Sequence, residues 1–217
     1  MKISDNLKKD LIDDMDSERV FQKHIVDGAS HLFNILPNSR DDEYQLRHEL
    51  AIATNTSIND IVIVGSAKLG FSVKSEKFPD FDEKFAITGT PRDRSDVDIA
   101  IVNQTHFEEV AEAIYHLSSH FDKNWIRKNW MVNQYYIQDV ALFHEYSHYF
   151  TKGWLRPDFM PNAYLSIARW PVVCEKWRKI LNRTVSIGIY SNWTYLKHYH
   201  MDHLETLRAK MRTLEIT

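Results

Sequence analysis

The 217-residue sequence predicts an α+β fold: a small mixed sheet flanked by helices, with helical additions before and after it. Three observations carry that prediction. The β-branched run Ile61-Val62-Ile63-Val64, bounded by Asp60 and Gly65, has the composition of a buried strand. A second strand pattern runs from Asp96 to Val102. Segments of helical period lie on either side of both.

Taken in order, residues 4–36 read as helical, with Leu7, Leu11 and Met15 spaced by four and apolar positions continuing to Leu36. Pro37-Asn38-Ser39 closes that region. Glu43 to Thr54 forms a second helix with Leu46, Leu50 and Ala53 on one face. The first strand spans Ile58 to Val64 and ends in Gly65-Ser66. Residues 72–94, carrying Pro79, Gly89 and Pro91, read as an ordered loop or insertion. After the second strand, Thr105 and Glu108 match a capping box ahead of a helix with Phe107, Val110, Ala111 and Ile114 on its apolar stripe. Residues 122–150 are aromatic-rich; Tyr135-Tyr136-Ile137 suits a strand, but the length favours helix. Gly153 to Pro161 breaks the pattern. A helix around 172–181, a strand from Val185 to Tyr190 and a helix from Thr194 to Met211 finish the chain. The predicted organisation is an N-terminal helical region (1–57), a core with both strand motifs (58–150), and a strand with helices completing the single domain (151–217).

Composition narrows the function. Hydrophobic residues at 43% and charged residues at 26% exclude a disordered chain. A formal charge of −3 argues against duplex binding through a broad basic face. The single cysteine, Cys174, rules out an internal disulfide and suits a reducing, cytoplasmic compartment. Met1 to Asp14 is studded with charge, so no signal peptide is expected, and no apolar run is long enough for a transmembrane helix.

The chemistry is concentrated in Gly65-Ser66 and in Arg94-Ser95-Asp96-Val97-Asp98. Side chains alternate along a strand, so Asp96 and Asp98 are expected to point the same way, with Cα atoms roughly 6.6 Å apart. Two carboxylates cannot be buried unpaired at tolerable cost, and two aimed at one point suit a divalent metal that also takes phosphate oxygens. Gly65 lets the backbone approach a phosphate, the Ser66 hydroxyl adds a donor, and Lys68 offers a neutralising charge.

A strand ending in Gly-Ser, then Asp-x-Asp at the start of a second strand, resembles the nucleotidyltransferase superfamily related to DNA polymerase β. That superfamily includes small nucleotidyltransferases of bacterial toxin–antitoxin modules and of anti-phage defence. The resemblance covers residues 58–102. It implies a magnesium-dependent enzyme that transfers a nucleoside monophosphate from an NTP to an acceptor hydroxyl on a nucleotide, oligonucleotide, tRNA or partner protein. Gly65, Ser66, Lys68 and Ser95 would then be the nucleotide-binding set. Asp96 and Asp98 would be catalytic and hold two Mg²⁺ ions, with Mn²⁺ as a substitute. No membrane partner is implied, and an oligomer is left open. Two features depart from the pattern. Residues 69–95 make a longer spacer than in the smallest members. The family's third carboxylate, borne on a later strand, has no counterpart in Val185–Tyr190, leaving Asp139 and Asp158 as candidates. A catalytically inactive member that binds a nucleotide or partner is therefore the alternative.

A third reading comes from His144-Glu145-Tyr146-Ser147-His148, which matches the H-E-x-x-H helix of zinc hydrolases. Such a site needs a third ligand. Glu175, His198 and His200 are the nominees, and none sits in a follow-on motif, so catalytic zinc is not expected. His200 and His203 share a helical face, and a core-edge role is the expectation for them. Arg92 and Arg94 suit either pairing with Asp93 and Asp96 or contact with an anionic substrate. Tyr190, Trp193 and Tyr195 suit core packing at a strand–helix junction or stacking on a base.

Overall fold

The computed structural model describes residues 3–13, 16–36, 39–73, 78–130 and 142–215. Four strands form one mixed sheet: β1 (Ile61–Val64), β2 (Val97–Val102), β3 (Trp154–Leu155) and β4 (Val185–Tyr190). Their spatial order is β1-β2-β4-β3. β1 runs antiparallel to β2, β4 runs parallel to β2, and β3 runs antiparallel to β4. The fold class is therefore α+β with a small mixed sheet flanked by helices, as the sequence predicts.

The helices are α1 (Ile3–Ile12), α2 (Ser17–Val20), α3 (His31–Ile35), α4 (Ser39–Thr54), α5 (Gly65–Leu69), α6 (Glu83–Thr88), α7 (Gln104–Leu117), α8 (Lys123–Asn129), α9 (Leu142–Thr151), α10 (Asn162–Leu165), α11 (Trp170–Leu181) and α12 (Trp193–Glu215). α2 runs on into a π-helical turn, Phe21–Val26. The residues 4–36 are thus not one helix: the apolar spacing is broken at the π turn and again around Gly28. The loop expectation for 72–94 gives way to α6 and a 3-10 turn, Pro91–Asp93. α7 begins one residue before Thr105, and its cap is the Asn103 side chain, which accepts the His106 N–H at 2.8 Å. Glu108 instead accepts from Gln104 at 2.8 Å, so no Thr105 capping box forms. The Tyr135-Tyr136-Ile137 segment lies outside the described residues.

The sheet is buried on both faces, which is why its strands read as nearly continuous apolar runs. Ile61, Ile63, Val97, Ile99, Ile101, Val185, Ile187 and Ile189 pack on one side against α3, α4, α7 and α11. Val62, Val64, Ala100, Val102 and Tyr190 pack on the other side against α1, the α2–π segment and α12. β4 comes from the last third of the chain yet lies inside the sheet, so the core cannot close without residues 151–217. Among the described residues no helix is long and apolar enough to cross a membrane.

Candidate functional site

Alternation places Asp98 on the face that carries Ala100 and Val102, covered by the terminal helices. The antiparallel register sets Asp98 opposite Val64, the last residue of β1. The chain then turns at Gly65 with φ +67°, a backbone conformation that glycine adopts without strain. A Cβ on Gly65 would stand 2.8 Å from Asp98 Oδ2, so with any other residue here the carboxylate or the turn would have to shift. Thirty-three residues of separation are closed here by strand pairing alone.

The other side of Asp98 is set by β4. The parallel register puts Ser186 opposite Asp98, and the Ser186 hydroxyl donates to Asp98 Oδ1 at 2.9 Å. One pleat further along β4, Gly188 leaves room for Trp154: a Cβ there would meet the indole Nε1 at 2.5 Å. Asp98 is half-buried and Ser66 is partly exposed beside it in sequence at the start of α5. Asp96 is exposed and lies just before β2, which begins at Val97 rather than at Asp96.

Two of the predicted nucleotide-binding residues are occupied elsewhere. Lys68 points into the protein: it is 3% exposed, and its ammonium donates to the Gly28 carbonyl. Burial lowers its pKa from the ordinary lysine value. A lysine three residues into a helix that starts at Gly65 falls on the buried side of that helix, so it ties α5 to the 26–30 segment instead of facing phosphate. Ser95 is engaged in a clip. Its N–H donates to Asp82 Oδ1 at 2.8 Å, and its hydroxyl accepts the Asp82 N–H at 2.9 Å. Arg183 completes the clip with Nη1 and Nη2 each 3.1 Å from an Asp82 carboxylate oxygen and Nη1 3.1 Å from the Ser95 carbonyl.

The arginines flanking the acids do not pair with Asp93, which is held by Lys84 and by Thr88 at 2.8 Å. The Arg94 guanidinium lies over the Phe85 ring, 4.0 Å from its centroid. Of the third-acid candidates, Asp158 is largely exposed and pairs with Arg156 at 2.8 Å. Asp139 lies outside the described residues. His144, Glu145 and His148 do lie on a helix, α9, with both histidines exposed and Tyr146 buried between them. Of the nominated third ligands, Glu175 binds Arg178 at 2.6 Å, His200 is buried with its ring 6.0 Å from that of Phe21, and His198 is exposed on α12. Among the described residues no group of three or more His, Cys, Asp or Glu is arranged to hold a metal ion. Tyr190 is buried in stacking contact with Trp154, centroids 5.3 Å apart, whereas Trp193 and Tyr195 remain partly exposed.

The residues that local sequence reading missed are Ser186, Asp82 and Arg183. Ser186 carries its meaning only through register, and Asp82 and Arg183 meet across 101 positions of chain. No family model matches the chain, and no curated protein or solved structure matches it either.

Asp96 and Asp98 supply hard oxygen donors, and the glycine at position 65 brings the backbone close against Asp98 Oδ2, where a Cβ would stand 2.8 Å away. By their chemistry, carboxylate oxygens of this kind would suit Mg²⁺ or Mn²⁺.

Proposed function

We propose that the chain is a divalent-metal-dependent nucleotidyltransferase, moving a nucleoside monophosphate from an NTP to an acceptor hydroxyl with release of pyrophosphate. The observation that carries this reading is the close approach of the glycine turn to the second acid: a Cβ on Gly65 would stand 2.8 Å from Asp98 Oδ2. In this reading Gly65 lets the triphosphate come close to the backbone, and the Ser66 hydroxyl donates to a phosphate oxygen. Asp96 and Asp98 would hold the cation, which when bound neutralises triphosphate charge and acidifies the acceptor hydroxyl. Ser186 orients Asp98 by donating to Oδ1, leaving Oδ2 turned to the glycine turn. Lys68 and Ser95 have structural roles here rather than substrate contacts.

A second reading is favoured by Ser186 itself. It occupies the strand position beside Asp98 where a further carboxylate would strengthen metal binding. With a hydroxyl there, a protein that binds metal–NTP without transferring it is the alternative. Incubation with each α-labelled NTP and Mg²⁺ or Mn²⁺, with products resolved, separates the two. Labelled product or pyrophosphate that disappears in Asp98→Ala supports transfer. Saturable metal-dependent NTP binding without product supports the second reading, and absence of both product and binding would overturn the nucleotide assignment.

A further inference from the structure

We infer that Asp82 and Arg183 are positioning residues for Asp96, and that the clip they form with Ser95 sets the metal affinity of the site. The inference rests on the nucleotidyltransferase reading and adds to it two residues outside the Gly-Ser and Asp-x-Asp motifs.

The clip sits where two strands start. β2 begins at Val97 and β4 at Val185, and between them Val97 N–H donates to the Thr184 carbonyl at 2.8 Å. Ser95 immediately precedes Asp96. Arg183 follows the left-handed Asn182 that ends α11 and lies three residues before Ser186. One guanidinium therefore grips the start of the strand pair that carries Asp98 and Ser186, with Asp96 immediately before it.

The grip is closed and directional. Asp82 Oδ1 receives both the Ser95 N–H and Arg183 Nη1, Oδ2 receives Nη2, and the Asp82 N–H goes to the Ser95 hydroxyl. Charge-assisted bonds in a two-pronged geometry fix orientation as well as distance. The Arg183 side chain is 5% exposed and its guanidinium lies 4.9 Å from the Phe81 ring centroid, so the pair is shielded from solvent. Asp82 itself is held at φ +61°, an uncommon backbone conformation for a residue other than glycine. What the clip holds is the short segment 95–96. With Ser95 bound through its N–H, its carbonyl and its hydroxyl, Asp96 enters β2 from a fixed point, and its separation from Asp98 is set before any ligand arrives.

The experiment is a double-mutant cycle read by Mn²⁺ binding to the full chain, followed by electron paramagnetic resonance titration. Asp82→Asn keeps the shape and removes the charge that receives Arg183. The expected result is a Kd for Mn²⁺ raised about tenfold in Asp82→Asn and unaffected by the same change in an Asp96→Asn background, because coupled residues are non-additive. Equal weakening in both backgrounds, or no weakening in either, overturns the inference. Wild-type protein that binds no Mn²⁺ overturns the metal reading on which it rests, a result distinct from either. Melting in EDTA reports folding. If Asp82→Asn does not fold, Ser95→Ala, which removes one hydroxyl, is expected to shift Kd the same way by about threefold, and an unchanged Kd there overturns the inference.

Discussion

The Asp98 carboxylate is held from two sides: Ser186 donates to Oδ1 at 2.9 Å, and Oδ2 faces the turn at Gly65 so closely that a Cβ would stand 2.8 Å away. The glycine and the acid are thus one structural unit as well as one proposed site.

Gly65→Ala therefore strains the protein twice, through φ +67° and through contact with Asp98. The backbone part alone is worth about 1–2 kcal/mol for an L-residue. Asp98→Gly removes the steric part. Urea unfolding of both single variants and the double variant is expected to show the double variant more stable than additivity predicts. Strict additivity would mean that the turn moves away from Asp98 at no cost.

Asp96→Ala and Asp98→Ala are expected to abolish nucleotide transfer, or metal-dependent NTP binding, while the fold persists. Asp96 is exposed, and Asp98 loses one hydrogen bond from Ser186 to its carboxylate, worth about 1.5–3 kcal/mol. Circular dichroism and thermal melting check the fold; labelled NTP checks the activity. Wild-type transfer by the double variant would remove both acids from the mechanism.

The strands were legible because both faces of the sheet are buried, so β1, β2 and β4 announce themselves as β-branched runs. The Gly-Ser and Asp-x-Asp pairing was legible because each motif ends or begins a strand. Three things were hidden. Lys68 looks like a phosphate ligand by its distance from Gly65, but helical phase turns it inward to Gly28. β3 is two residues long and exists only by pairing with Tyr190 and Ile189. Ser186 and the Asp82–Arg183 clip depend on tertiary register, which local composition does not encode.

Ser186→Asp places a second carboxylate beside Asp98, in the strand position that the parallel register puts opposite it. Like charges at this distance raise the pKa of one member and destabilise the doubly ionised state. The variant is expected to melt lower than wild type in EDTA at neutral pH and to gain more from added Mn²⁺ than wild type gains. Tm measured against Mn²⁺ concentration reads both. An equal Mn²⁺ response in the two proteins would show that position 186 does not reach the cation.

Cys174 gives a prediction at alkaline pH. Burial on the core-facing side of α11 pushes its thiol up to about 12 from an ordinary value of 9.0. The folded protein therefore keeps this proton between pH 9 and 12 while the unfolded chain releases it. Unfolding then gains stability relative to folding as pH rises through that window, by at most about 1.4 kcal/mol per pH unit for one proton. Well below pH 9 the thiol is protonated in both states and contributes no slope. Cys174→Ala is expected to lose part of the alkaline decline in stability, seen as a shallower fall of urea midpoint between pH 9 and 10.5 than in wild type. Comparison with wild type is essential because buried Tyr146 and Tyr190 are raised in the same direction by desolvation and decline alongside it. Native protein at pH 8 is expected to react slowly with a thiol reagent and to react at once when unfolded. Fast native labelling, or identical pH slopes in variant and wild type, would show that the Cys174 side chain reaches solvent.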